Sequence, residues 1–181
     1  MKKMLSMVAA LAISVSVFSG CSKPAVAPKP VAPDTSKTDA LTTASIVNKP
    51  EAFLKAISKD GTWIIATLND IKIDKDLVLE GEFKNTKTPP VLQRKIGLYT
   101  QDDKHVVTAR FTLTAPKLTI KSPMASVEHG TFIGDIYVET NDFQLKDNKV
   151  TGNIYFKDDA AKAGFKMDAK STVSGKQEVK K

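Results

Sequence analysis

The stretch FIGDIYVETNDFQLKDNKVTGNIYF, residues 132–156, holds the start of one structural unit and the start of its near copy. Gly134-Asp135-Ile136-Tyr137-Val138 recurs as Gly152-Asn153-Ile154-Tyr155-Phe156, an offset of 18 residues. A short strand repeating at such an offset predicts a chain wound in coils, each stacking its apolar side chains on the coil before. That is an architecture, and it carries no reaction.

Working outward, the phrase returns in degraded form. Asp70-Ile71-Lys72-Ile73 followed by Leu79-Glu80-Gly81 matches Asp142-Phe143-Gln144-Leu145 followed by Val150-Thr151-Gly152, and a third copy reads Gly164-Phe165-Lys166-Met167 followed by Val173-Ser174-Gly175. Phe111-Thr112-Leu113 and Leu118-Thr119-Ile120 line up with Ile136-Tyr137-Val138 and Phe143-Gln144-Leu145 at a common offset of 25. The alternating apolar positions face the interior, and glycine takes the corners where a side chain would clash or φ must be positive. Unequal offsets require loops of unequal length, KDDAAKA at 157–163 among them. The longest interruption is KNTKTPPVLQR at 84–94, where Pro89-Pro90 ends any strand. KIGLYT and HVVTARF flank Gln101-Asp102-Asp103-Lys104 and read as a hairpin with a polar turn. Ahead of these, Asn48 or Lys49 caps a helix with Pro50 in its first turn, Phe53, Leu54 and Ile57 on one face, and Gly61 after its end. The expected fold of residues 48–176 is all-β. It is an irregular, single-stranded right-handed β-solenoid with a short N-terminal capping helix and an inserted hairpin; a β-sandwich is the alternative. Residues 177–181 are expected to form a charged, frayed tail.

The first twenty residues read as a leader. Lys2 and Lys3 give a charged start, residues 4–18 an apolar run too short for a permanent span, and Ser19-Gly20 the small residues that precede a cut. Residues 21–47 interleave proline with Ala, Lys, Ser and Thr without apolar period, which predicts an extended, partly stiff tether. FSGC, residues 18–21, resembles the lipobox of bacterial lipoproteins. That resemblance implies a diacylglyceryl group on the sulfur of Cys21, acyl chains such as palmitate in the membrane, and an extracytoplasmic domain. With Ser22 rather than Asp in the next position, it implies the outer membrane where the organism has one.

Formal charge is +7, and removing Lys2 and Lys3 with the leader leaves 25 basic against 20 acidic residues, a net +5. Such an excess suits anionic envelope polymers or lipid head groups, and ordinary solubility too. A single cysteine excludes an intrachain disulfide or a cysteine metal cluster. His105 follows Asp102-Asp103 in the expected turn and His129 follows Glu128 at an expected corner. Neither spacing is that of a metal site, and Glu128-His129 reads as a solvent-facing pair. Asp158-Asp159 could bind a cation or nothing. Carboxylates stacked at the coil offset would be required of a polysaccharide-acting β-helix enzyme. Asp135 stacks instead on Asn153, and Asp142 on Gly164, so no catalytic residue, cofactor or metal is expected. Dispersed lysines without interleaved aromatics exclude a nucleic-acid surface. Tyr137 and Tyr155 occupy equivalent places in two coils, as a stack or a carbohydrate platform.

GDIYV, DFQLKDNKVTG and GNIYF resemble the short repeats of bactofilin-type, polymer-forming β-helices, over residues 111–175. The resemblance implies end-to-end assembly without nucleotide. The leading expectation is thus a lipid-anchored envelope structural or interaction module, self-associating through an uncapped end near Val173. The rival is a ligand-binding lipoprotein for an envelope polymer or glycan, using the Pro89-Pro90 insertion and the adjacent hairpin.

Overall fold

Alternating apolar residues broken by glycine and polar corners form short strands, and the computed structural model describes residues 44–180. In chain order these are β1 (Ala44–Val47), α1 (Pro50–Ile57), β2 (Ile64–Thr67), β3 (Ile71–Lys72), β4 (Leu77–Leu79), β5 (Arg94–Gly97), β6 (Tyr99–Gln101), β7 (Val107–Arg110), β8 (Thr112–Ile120), β9 (Ala125–Glu128), β10 (Thr131–Val138), β11 (Gln144–Lys146), β12 (Lys149–Thr151), β13 (Ile154–Phe156), α2 (Asp159–Gly164), β14 (Lys166–Met167), β15 (Thr172–Val173) and β16 (Gln177–Val179). The expected leader, Cys21 and the tether as far as residue 43 lie outside the described residues. Among the described residues no helix is long and apolar enough to cross a membrane.

The fold is all-β. A six-stranded sheet has the order β1-β2-β5-β9-β11-β14. In an eight-stranded sheet, β3 and β4 pair with β8, β8 with β10, β10 with β12 and β13, and these with β15 and β16. The chain passes repeatedly from one sheet to the other, and every ladder in both is parallel. Among the strands of the described residues only β6 and β7, the expected hairpin, pair antiparallel, and an isolated antiparallel bridge joins Lys84 to Leu92. The parallel ladders exclude the antiparallel β-sandwich.

The 18-residue offset is the true register of the opening stretch: Ile136 pairs with Ile154, Tyr137 with Tyr155 and Val138 with Phe156. Parallel registry lays like over like, so the interior is built of columns. One runs Ile71, Leu113, Phe132, Val150, Val173; another Leu79, Ile120, Val138, Phe156, Val179. Facing them from the six-stranded sheet is Ile65, Ile96, Val127, Leu145, Met167. All but the last member of each column are buried, and each such side chain contributes about 1.5–3 kcal/mol relative to exposure.

The expected offset of 25 is wrong. Leu113 lies on Phe132 and Leu118 on Ile136, with a bulge where two residues of β8, Ala115 and Pro116, face the single Gly134. The copy at residues 70–81 is also misaligned: Ile71 belongs to the column of Phe132 and Val150, whereas Leu145 lies in the other sheet, with Phe143 just before its strand. An apolar-polar-apolar pattern does not distinguish the two sheets. The third copy is correct, with Leu145 on Met167 and Val150 on Val173. Gly134 and Gly152 hold φ of 137° and 154°, and a Cβ on Gly152 would overlap the carbonyl oxygen of Gly134, so both bends require glycine.

Helix α1 starts on Pro50 after an extended Lys49 whose side chain makes no cap, and of the expected face it buries Phe53 and Ile57, with Ala56, against β1, β2 and β4, while Leu54 is only partly buried. Its C-terminal end is fastened by Arg94, which is 0% exposed. Nη2 donates to the carbonyls of Ala56 at 2.7 Å and Ser58 at 2.9 Å, and the guanidinium lies 3.8 Å from the centre of the Phe83 ring. Burial pushes its pKa down to about 10, so it stays charged at neutral pH.

Three boundaries move. The last four residues of the expected tether form β1, whose Val47 is buried, and the expected frayed tail contains β16, with Val179 over Phe156. The expected loop at 157–163 holds α2, because Asp158 caps it by accepting from the Ala161 N–H at 2.7 Å and Ala161 is buried. That also accounts for the Asp158 carboxylate without a cation.

Candidate ligand-binding surfaces

On the outward side of the eight-stranded sheet, the side chains between the core columns form columns of their own. Val78, Thr119, Tyr137, Tyr155 and Glu178 follow one another in register. The rings of Tyr137 and Tyr155 are 4.9 Å apart at 46°. Lys180 Nζ lies 4.4 Å from the centre of Tyr155 and 3.4 Å from the hydroxyl of Tyr137, and Lys117 Nζ lies 5.5 Å from the centre of Tyr137. Lys117 is itself paired with Asp76 at 2.6 Å. Asp135 accepts from the backbone N–H of Asn153 at 2.8 Å, while Asn153 accepts from the Lys176 N–H at 2.9 Å. The stack of Asp135 on Asn153 is thus a backbone-satisfying ladder. Beside it run Thr112, Thr131, Lys149 and Thr172 in one column and Thr114, Ile133 and Thr151 in the next.

The outward side of the six-stranded sheet carries a partly buried charge network. Glu128, 7% exposed, accepts from Lys95 at 3.1 Å, Lys146 at 3.1 Å and the Ser126 hydroxyl at 3.0 Å. Burial alone would raise its carboxyl, but the two ammonium groups, by charge and by hydrogen bond, hold it below the usual range. Burial likewise opposes the charge on Lys95, and Glu128 and the Tyr99 hydroxyl at 3.2 Å hold its pKa above the usual value. At the next corner Asp147 lies 2.6 Å from Arg110 and 3.0 Å from His129, and the hydrogen bond from Arg110, joined by that from His129, lowers its carboxyl. Tyr99 meets the His129 ring edge-on at 4.2 Å.

These geometries sort the expected site residues. Tyr137 and Tyr155 come together as the offset predicts. Pro89 and Pro90 are exposed on a loop that Asn85 organises, its side-chain oxygen accepting from the N–H groups of Lys87 and Val91 at 3.2 Å. Val173 sits half-buried on β15, at the edge of its sheet. In the hairpin turn Asp102 accepts from the N–H groups of Lys104 at 2.9 Å and Val106 at 2.8 Å, so that carboxylate serves the backbone. Glu128 corrects its own expectation: it is buried between two lysines. The sequence offered a signal, since the 18-residue offset sets Glu128 on Lys146 and His129 on Asp147. Lys117 and Lys180 could not be read, because their approach to the tyrosines crosses strands. Among the described residues no group of three His, Cys, Asp or Glu could hold a metal ion. Cys21 is outside the described residues.

Comparison of the chain with protein-family models, with curated proteins and with solved structures gives no match.

Proposed function

We propose that this chain is a lipid-anchored, extracytoplasmic module of the bacterial cell envelope that binds an extended anionic glycan. In this reading Cys21 carries the lipid, the proline-rich segment holds the domain off the bilayer, and the domain is an irregular single-stranded right-handed β-solenoid. The solenoid reading is supported by the parallel registers, the alternation of the chain between sheets and the continuous apolar columns.

The observation that carries the binding reading is the Tyr137–Tyr155 pair with Lys180 across both rings and Lys117 beside them. A uronate-rich glycan offers what such a surface takes: C–H faces for aromatic rings, carboxylates for ammonium groups and hydroxyls for the threonine columns. Neighbouring strands repeat every ~4.8 Å, a step comparable to one sugar unit, so an extended chain can use the columns in succession. The reading includes no catalysis. Electrophoresis of the full chain through gels containing polygalacturonate should retard it, and gels containing dextran should not. Tyr155→Ala with Lys180→Ala should abolish the retardation with the circular dichroism unchanged. Unretarded migration of the parent in polygalacturonate overturns the binding reading. For the anchor, Cys21→Ser should move the protein from the membrane to the soluble fraction; retention refutes lipidation.

Self-assembly is the second reading, favoured by half-buried Val173 and Val179 and by Met167, 42% exposed, on the last strands of the two sheets, and by half-buried Phe165 just before β14. Those strands are only two or three residues long and carry Lys166, Lys176 and Lys180 on or beside them, features that blunt an edge against pairing. For that reason glycan binding takes precedence. A particle that stays monomeric in sedimentation across a concentration series rejects assembly.

A further inference from the structure

Where the hairpin leaves the six-stranded sheet there is a groove of about 290 Å³, lined by Ile46, Ile64, Ala66, Leu68, Gly97 and Tyr99, with Lys95 at one side. Ile46 and Leu68 are each 44% exposed, so large aliphatic side chains face open space here. Gly97 matters to the shape, because a Cβ there would press on the Tyr99 ring at 3.1 Å. Two further lining residues, Thr100 and Gln101, spend their polar groups on the hairpin's own Thr108 and His105 at 2.9 and 2.8 Å.

The chemistry of the groove is two-ended. Its length is aliphatic, and at the Lys95 end polar hydrogens remain. The ammonium of Lys95 has three donors, of which Glu128 and Tyr99 take two, and the Tyr99 hydroxyl accepts from Lys95 while keeping its own hydrogen. The charges there are Lys95 and Lys146 against Glu128, a surplus of one positive charge. An apolar trough closed by two donors that meet no acceptor among the described residues, and by a net cation, complements an aliphatic chain that ends in a carboxylate.

We infer that this groove is a binding site for a single-chain fatty carboxylate, distinct from the glycan surface on the other sheet. The acyl chain lies along Ile46, Ile64, Ala66 and Leu68, and the carboxylate accepts from Lys95 and Tyr99. No step of covalent chemistry is involved.

The probe is sodium dodecanoate, held below its micelle concentration and titrated into the full chain carrying Cys21→Ser, which leaves no site for lipid addition. Amide shifts should move at Ala66 and Gly97 and stay fixed at Tyr137 and Tyr155. Across octanoate, decanoate and dodecanoate, affinity should rise roughly fourfold for each methylene buried. Leu68→Glu should weaken dodecanoate at least about tenfold, a charge set on an exposed position of the groove wall, and Tyr99→Phe should weaken it several-fold with the ring retained. Circular dichroism identical to the parent shows that each variant folds. No shift at Ala66 and Gly97, an affinity independent of chain length, or dodecanol binding as tightly as dodecanoate each overturns the inference.

Discussion

Replacing Arg94 by methionine tests how the N-terminal helix is held. The guanidinium gives two hydrogen bonds to the carbonyls of Ala56 and Ser58, and bonds from a charged donor contribute roughly 1.5–3 kcal/mol each. The Phe83 ring at 3.8 Å adds about 1–2 kcal/mol. Against these stands the cost of a charge in a buried site where Nε and Nη1 have no partner among the described residues. The fall in pKa from 12.5 to about 10 corresponds to roughly 3 kcal/mol. The favourable terms exceed this, so Arg94→Met should destabilise by about 3 kcal/mol, lowering the melting midpoint by roughly 10 °C. Arg94→Ala, which removes the packing as well, should cost roughly 2 kcal/mol more. Urea unfolding followed by the fluorescence of Trp63, the single tryptophan, measures both, since Trp63 and Lys95 are joined by a backbone hydrogen bond. Hydrogen exchange should locate the loss first at the amides of Phe53 and Gly61, which bond to the carbonyls of Lys49 and Ser58. An Arg94→Met protein as stable as the parent would show that desolvation outweighs the carbonyl bonds and would refute this account.

Gly152→Ala places a Cβ against the Gly134 carbonyl at a φ of 154° and should cost at least about 2 kcal/mol in urea unfolding, the damage spreading to β13. Acid should destabilise the fold through Glu128, whose folded pKa lies below its ordinary 4.5. The unfolded chain binds the proton first, so this contribution is complete above about pH 4.5 and is lost as pH falls through the lower folded value. Thermal melts from pH 7 to 3 should be flat and then fall, and Glu128→Gln should make the fall shallower.

Much of the fold was legible in residues that must stack. The repetition of GDIYV as GNIYF gave the register of β10 on β13, and the proline, apolar and glycine positions of residues 50–61 gave α1. The hairpin was legible too, from two apolar runs flanking a polar turn, although the backbone bonds that Asp102 accepts in that turn were not. The offset of 25 failed because a bulge at Ala115 and Pro116 changes the count without changing the apolar pattern. Strand β1 was missed because four residues after a proline-rich segment carry too few alternations to be told from a tether.

By itself the sequence determined the features that local sterics and period dictate: alternating side chains, obligatory glycines, a helix begun by proline and an 18-residue repeat. Which sheet a given apolar triplet joins was decided only by tertiary structure, since burial is non-directional and any such triplet satisfies it. The same holds for the two surfaces. Tyr155 and Lys180, or Lys95 and Glu128, meet because parallel registry carries distant residues to one place, and groups separated by 25 or 33 positions leave no local trace of that meeting.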